Sequence, residues 1–223
     1  MVTAIKALVF DFDGLILETE VPAFQAWEEI FREHGVELTR ERWRDYIGRE
    51  GGWFDVYTHL EELTGGPVDR DALKSRRAAR RDELLAAEEL RHGVAELFAE
   101  ARARGLKVGV ASSSTREWVC GHLERLAFLN DWDAIVCRAD VTHAKPAPDL
   151  YLRAAELLGV APDEAVALED SPNGIAAAKA AGLWCVAVPN PLTRELDLSG
   201  ADVRLETLAE MPLDDLLALL SRR

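Results

Sequence analysis

The side chains best suited to chemistry in this sequence stand at the ends of its apolar runs. Asp11 and Asp13, in Asp11-Phe12-Asp13-Gly14, follow the run AIKALVF. Ser112, Ser113 and Ser114 follow KVGVA, and Glu169 with Asp170 follows AVAL. Lys145 lies in His143-Ala144-Lys145-Pro146-Ala147-Pro148-Asp149, just past the run AIVC. Carboxylates, a hydroxyl and an amine are the inventory for phosphoryl transfer. The anionic oxygens of a phosphate monoester repel a nucleophile, and its uncatalysed hydrolysis is among the slowest reactions known. Catalysis calls for a nucleophile, a metal, positive charge around the phosphoryl oxygens and a proton for the leaving alkoxide. A carboxylate can attack phosphorus and form an aspartyl-phosphate. Two or three carboxylates also suit magnesium, together with waters and a substrate oxygen. Ser112 and the amides beside it are candidate donors to the transferred group, and Lys145 can hold both nucleophile and phosphoryl oxygens. Gly14 turns the chain after Asp13, which can then lean over the site as general acid and later as base on water.

Continuous apolar runs of this kind read as buried strands of a parallel sheet: residues 4–10, 107–111, 134–137, 165–168 and 183–188. Helical patterns alternate with them over residues 93–103, 149–158 and 172–181, each leading to a glycine placed for a C-cap (Gly105, Gly159, Gly182). Strands alternating with helices imply right-handed crossovers and a doubly wound α/β sheet covered on both faces. In such a sheet ligands bind at the carboxyl ends of the strands, where the polar residues above lie. Residues 17–90 have a different character, with no buried-strand run. Helices are expected over residues 21–34, 40–47, 53–63 and 69–89. The expected organisation is a Rossmann-like core of residues 1–16 and 91–223 with an inserted α-helical cap domain of residues 17–90.

The motifs and their order resemble the haloacid dehalogenase superfamily, in the subgroup with a helical cap after the first strand. Its Asp-x-Asp-Gly appears as Asp11-Phe12-Asp13-Gly14, and its strand-end Ser or Thr as Ser112. Its Lys appears in Lys145-Pro146-x-Pro148-Asp149, and its acidic pair as Glu169-Asp170, followed by Ser171-Pro172-Asn173-Gly174. The resemblance covers the whole chain. It implies Asp11 as nucleophile and Asp13 as general acid/base, with Ser112, Ser113 and Lys145 on the phosphoryl group. It further implies Mg2+ held by Asp11, the backbone carbonyl of Asp13 and Asp170, with Glu169 close. The implied activity is magnesium-dependent hydrolysis of a small phosphorylated metabolite such as a sugar phosphate. Leu15 and Glu18 stand where the family often has Thr and Asp. A mutase resembling β-phosphoglucomutase is the alternative. Such enzymes carry a His in the first cap helix, whereas the comparable position here is Ala23, with no His between Asp11 and His34. A dehalogenase should lack Asp13 and the acidic pair, and a signalling receiver has its acidic motifs in the reverse order.

Arg49, in the loop Ile47-Gly48-Arg49-Glu50, is a candidate second anion contact. Trp27, Trp43 and Trp53 read as core, with Trp53 or Phe54 a candidate to face the cleft. The basic cluster at residues 74–81 reads as a solvated helix face, and His143 as a surface or supporting residue. Lys and Arg total 26 against 40 Asp and Glu, a balance that argues against nucleic-acid or anionic-membrane partners. The three cysteines show no paired spacing, so neither a disulfide framework nor a zinc site is suggested, and Cys137 and Cys185 read as core fillers. With neither signal peptide nor membrane span in the pattern, the expectation is a cytoplasmic monomer.

Overall fold

The computed structural model describes residues 4–44 and 55–220. Strand β1 (Ala7–Phe10) is followed by four helices, α1 (Glu20–Glu33), α2 (Arg40–Arg44), α3 (Val56–Thr64) and α4 (Arg70–Leu85). Alternation then sets in: α5 (Val94–Ala103), β2 (Lys107–Ala111), α6 (Arg116–Arg125), β3 (Ala134–Val136), α7 (Asp149–Leu158), β4 (Ala165–Glu169), α8 (Pro172–Ala180) and β5 (Trp184–Ala187). Strand β6 (Val203–Arg204) and helix α9 (Leu213–Leu220) close the chain.

Every strand pairing is parallel, and the order is β3-β2-β1-β4-β5-β6. All residues of β1 and β4 are buried, as a sheet covered on both faces requires. One apolar cluster, with Phe10, Val94, Phe98, Val119 and Leu216, fills the α5, α6 and α9 side. A second, with Val9, Tyr151, Ala154, Ile175 and Cys185, fills the α7 and α8 side. Each buried Val, Leu or Phe contributes about 1.5–3 kcal/mol. Chain order departs from β1 in two directions, to β2 on one side and β4 on the other. The crevice at their carboxyl ends is therefore the topological switch point where such sheets bind ligands.

The helices between β1 and β2 bury a third cluster, in which Phe24, Trp27, Phe31, Trp43, Leu60 and Leu73 meet Leu192 from the loop after β5. Two points of the reading need correction here. Helix α4 ends at Leu85, short of residue 89, because the chain must turn there for Leu90 to bridge to Leu17. The basic cluster is also not simply solvated. Arg80 grips Glu29 of α1 through Nε at 2.8 Å and a second nitrogen at 3.0 Å, and Arg76 pairs with Glu33. These half-exposed pairs link α4 to α1 across the surface. Arg49, Trp53 and Phe54 lie outside the described residues.

Candidate active site

Backbone pairing continues one residue beyond the strands and fixes the site. Asp11 N–H donates to the Leu168 carbonyl at 2.9 Å, and Ser112 N–H donates to the Val136 carbonyl at 2.9 Å. Asp11 and the Glu169-Asp170 pair therefore face each other across adjacent strands β1 and β4. The turn after Asp13 closes with Gly14 N–H on the Leu17 carbonyl at 2.8 Å. Gly14 has φ +78, and a Cβ there would overlap the Asp170 carboxylate and the Asn190 amide. Only glycine allows that approach.

Lys145 is the hub of the buried charges. Its ammonium donates to Asp11 Oδ1 and, at 2.7 Å, to Glu169 Oε1, and lies 4.9 Å from the centre of the Tyr151 ring. Burial works against this charge, but Asp11 and Glu169 outweigh it and raise the lysine's proton affinity. Glu169, wholly buried, also accepts from the Tyr151 hydroxyl at 2.6 Å and from the Asp170 N–H at 3.1 Å. Gly174, at the start of α8, leaves room for it: a Cβ there would fall inside the Glu169 carboxyl group. Asp170 accepts from Asn190 Nδ2 at 2.6 Å. Asn190 is itself locked, its Oδ1 accepting from the N–H groups of Leu192 at 2.7 Å and Thr193 at 3.0 Å.

Ligand oxygens of Asp11, Glu169 and Asp170 lie within 4.8 Å of one another, all three residues buried. Burial raises Asp11 to about 7 against the pull of Lys145, and burial with Asp11 and Glu169 raises Asp170 well above the carboxylate range. Lys145, bonded to Asp11 and Glu169, is the one cation hydrogen-bonded to any of these three carboxylates among the described residues. Three buried carboxylates against one ammonium form an all-oxygen donor set short of positive charge, which fits a hard divalent cation such as Mg2+.

Asp13 is turned to the other side. Its Oδ2 accepts from Ser114 Oγ at 2.6 Å and Ser112 Oγ at 3.4 Å, and its Oδ1 accepts from Trp118 Nε1 at 2.8 Å. Its carboxylate is therefore not in the metal-competent cluster, which leaves its backbone carbonyl as the atom available for that purpose. Ser112 is buried and its Oγ accepts from Ser114 N–H at 3.0 Å, whereas Ser113 is exposed. Glu18 caps α1, its Oε1 accepting from the N–H groups of Glu20 at 3.0 Å and Val21 at 3.1 Å, so the longer arm reaches the helix it precedes. His143 is exposed and its ring lies 3.2 Å from Asp149. Cys137 and Cys185 are buried in the apolar clusters.

Several participants carry no motif. Tyr151, Asn190 and Trp118 each touch a motif residue, yet in the sequence they are single residues of helix or loop. Glu20 is another, partly exposed at the start of α1. Burial first, then Asp13, Glu18 and Asp11, push it up to about 8. Its nearness to Glu18 in the sequence was the available signal.

The sequence model of the haloacid dehalogenase-like hydrolases matches residues 5–182. The chain belongs to that family. It is a phosphoric monoester hydrolase by class, and its relatives include proteins named as phosphatases and a β-phosphoglucomutase. YhcW of Bacillus subtilis, a presumed phosphatase, is 45% identical over 96% of this chain and 96% of its own. The β-phosphoglucomutase of the same organism is 31% identical, over 94% of this chain and 92% of its own. A crystal structure of a CbbY mutant from Rhodobacter sphaeroides, in complex with xylulose-(1,5)bisphosphate, superposes with a TM-score of 0.72. It is 33% identical and covers 92% of this chain and 96% of that one. No helix of the described residues is long and apolar enough to cross a membrane.

Proposed function

We propose that the protein is a magnesium-dependent phosphatase of a small phosphorylated metabolite, a sugar phosphate or similar compound, acting through an aspartyl-phosphate on Asp11. The observation that carries this reading is the Asp11–Lys145–Glu169 chain beside Asp170. Lys145 occupies Asp11 Oδ1, which leaves Oδ2 as the oxygen that attacks phosphorus. As that bond forms, the bond to the leaving oxygen breaks, and the alkoxide takes a proton from Asp13. Water then attacks the aspartyl-phosphate, with Asp13 accepting its proton, and inorganic phosphate leaves. Lys145, Ser112 and the amides around Ser113 donate to the phosphoryl oxygens throughout. Asp11, Asp170, Glu169 and the Asp13 carbonyl would hold Mg2+, which supplies positive charge against the phosphoryl oxygens.

Residues 17–90 serve as a cap that admits substrate and excludes water, with Arg49 as its anion contact. The apolar cluster of α1 to α4, which takes in Leu192 but no strand residue, supports this division. Ala23 on α1 offers no imidazole to time Asp13, which favours release to water over transfer to a second hydroxyl. The protein works as a monomer in the cytoplasm, with no nucleic-acid or membrane partner. The test is release of inorganic phosphate from a panel of phosphorylated metabolites, with and without magnesium, by wild type and Asp11→Asn. Magnesium-dependent release abolished by the substitution is the expected result. Isomerisation of glucose phosphates on adding a bisphosphate, with little free phosphate, would instead make it a mutase.

A further inference from the structure

We infer that Trp118 is a positioning residue for Asp13, holding through its indole N–H the carboxylate that gives the leaving group its proton. The inference rests on the phosphatase reading of the site and adds to it a residue from outside the family motifs. Asp13 lies on a turn past the strand end, where a single backbone bridge to Leu17 fixes its main chain but not the direction of its side chain. Its orientation is set by side-chain donors: Ser114 at 2.6 Å and Ser112 at 3.4 Å on Oδ2, and Trp118 at 2.8 Å on Oδ1. The serines come from the loop after β2, whereas the indole reaches in from α6. Donors on both oxygens, from two directions, fix both χ angles of an aspartate.

A half-buried tryptophan commonly finds some acceptor for its N–H, so the bond alone does not define a role. The ring's own support makes the difference. Trp118 packs one side against the apolar cluster on the α5, α6 and α9 face and borders an open cleft between α4 and α6 on the other. On the cleft side two polar neighbours hold the ring. The Arg81 guanidinium of α4 lies 4.3 Å from the centre of one ring face, and the His122 ring meets it edge-on at 4.4 Å. The Thr115 hydroxyl caps α6 by accepting from the Trp118 backbone N–H at 3.3 Å, which fixes the backbone from which the indole projects. Arg81 belongs to the inserted helices. The indole thus connects them to the acid/base carboxylate by a contact that no backbone segment supplies.

Trp118→Phe keeps the ring and removes the donor. The probes are p-nitrophenyl phosphate, whose leaving group departs without a proton, and the aliphatic phosphate that wild type hydrolyses fastest. Loss of Asp13 alignment lowers kcat/KM, which reports only the steps up to leaving-group departure, about tenfold for the aliphatic ester. It leaves kcat/KM for p-nitrophenyl phosphate near that of wild type, while the later water step, in which Asp13 is the base, slows alike for both. Equal losses of kcat/KM on both esters, an unchanged kcat/KM on both, or a higher kcat/KM for the aliphatic ester would each overturn the inference while leaving Asp11→Asn inactive and the phosphatase reading intact. No turnover of any ester by wild type would remove both. Where Trp118→Phe does not fold, Ser114→Ala, which deletes a donor to the same carboxylate, is expected to show the same leaving-group dependence, and uniform loss would overturn the inference equally.

Discussion

Replacing Asp11 by Asn should change how stability depends on pH, in a direction that sets the nucleophile against the fold. In the metal-free protein Asp11 stands at about 7 against 3.8 for an ordinary aspartate, raised chiefly by burial. A carboxyl raised in the folded state supports folding fully below 3.8 and loses that support as pH climbs to about 7. Each tenfold change in proton affinity is worth about 1.4 kcal/mol, so the whole interval amounts to about 4 kcal/mol. About 3 kcal/mol of it falls between about pH 5 and about pH 8.5. Asn carries no titrating proton and should escape this loss. Chemical unfolding of both proteins with chelator present, across that range, reads the difference directly. Wild type should lose about 3 kcal/mol relative to Asp11→Asn as pH rises, whatever offset the substitution introduces at the acid end. Saturating magnesium should flatten the difference by neutralising the same carboxylates. Equal pH dependence of the two proteins without metal would refute the argument that ionising Asp11 in its buried site costs stability.

Two further substitutions probe the supports of the acidic pair. Gly174→Ala places a methyl group inside the Glu169 carboxyl group. It should cost about 1–3 kcal/mol in thermal unfolding and lower phosphate release together with stability, because Glu169 must move. Asn190→Ala removes the amide that holds Asp170 at 2.6 Å. It should weaken magnesium affinity by about 10- to 100-fold, read from the magnesium dependence of phosphate release.

The fold was legible where physics repeats itself along the chain. Fully apolar strands ending in polar residues, and glycines at helix ends, placed β1 to β5 and the helices α5, α7 and α8 to within a few residues. β6 is missing from that reading because Val203–Arg204 is too short to show a period, and α9 because its leucines follow the last strand signal. The motif residues were legible for a related reason: a parallel sheet brings the ends of β1, β2 and β4 together whatever lies between. What could not be read was the set of contacts made by single residues from elsewhere. Tyr151 meets Glu169 because α7 packs over β1 to β3, and Asn190 meets Asp170 because β5 ends beside β4. Each depends on side-chain geometry that no local spacing encodes. The cross-helix pairs of Arg76 and Arg80 were missed likewise, because their partners lie on α1.

The antiparallel bridge between Leu17 and Leu90 has a consequence for how this molecule can vary. The chain leaves the sheet layer and comes back to it at neighbouring points. They are further tied by Arg91 N–H on the Ile16 carbonyl at 2.9 Å and by the Arg91 guanidinium on the Gly14 and Pro189 carbonyls. Whatever is strung between those points adds little to the entropy of closing the sheet, since its ends are already joined. Under the proposed division into core and cap, the intervening helices can be exchanged as a unit. A chimera carrying the corresponding stretch of a relative should retain the parallel sheet and its acidic crevice while exchanging what the crevice admits.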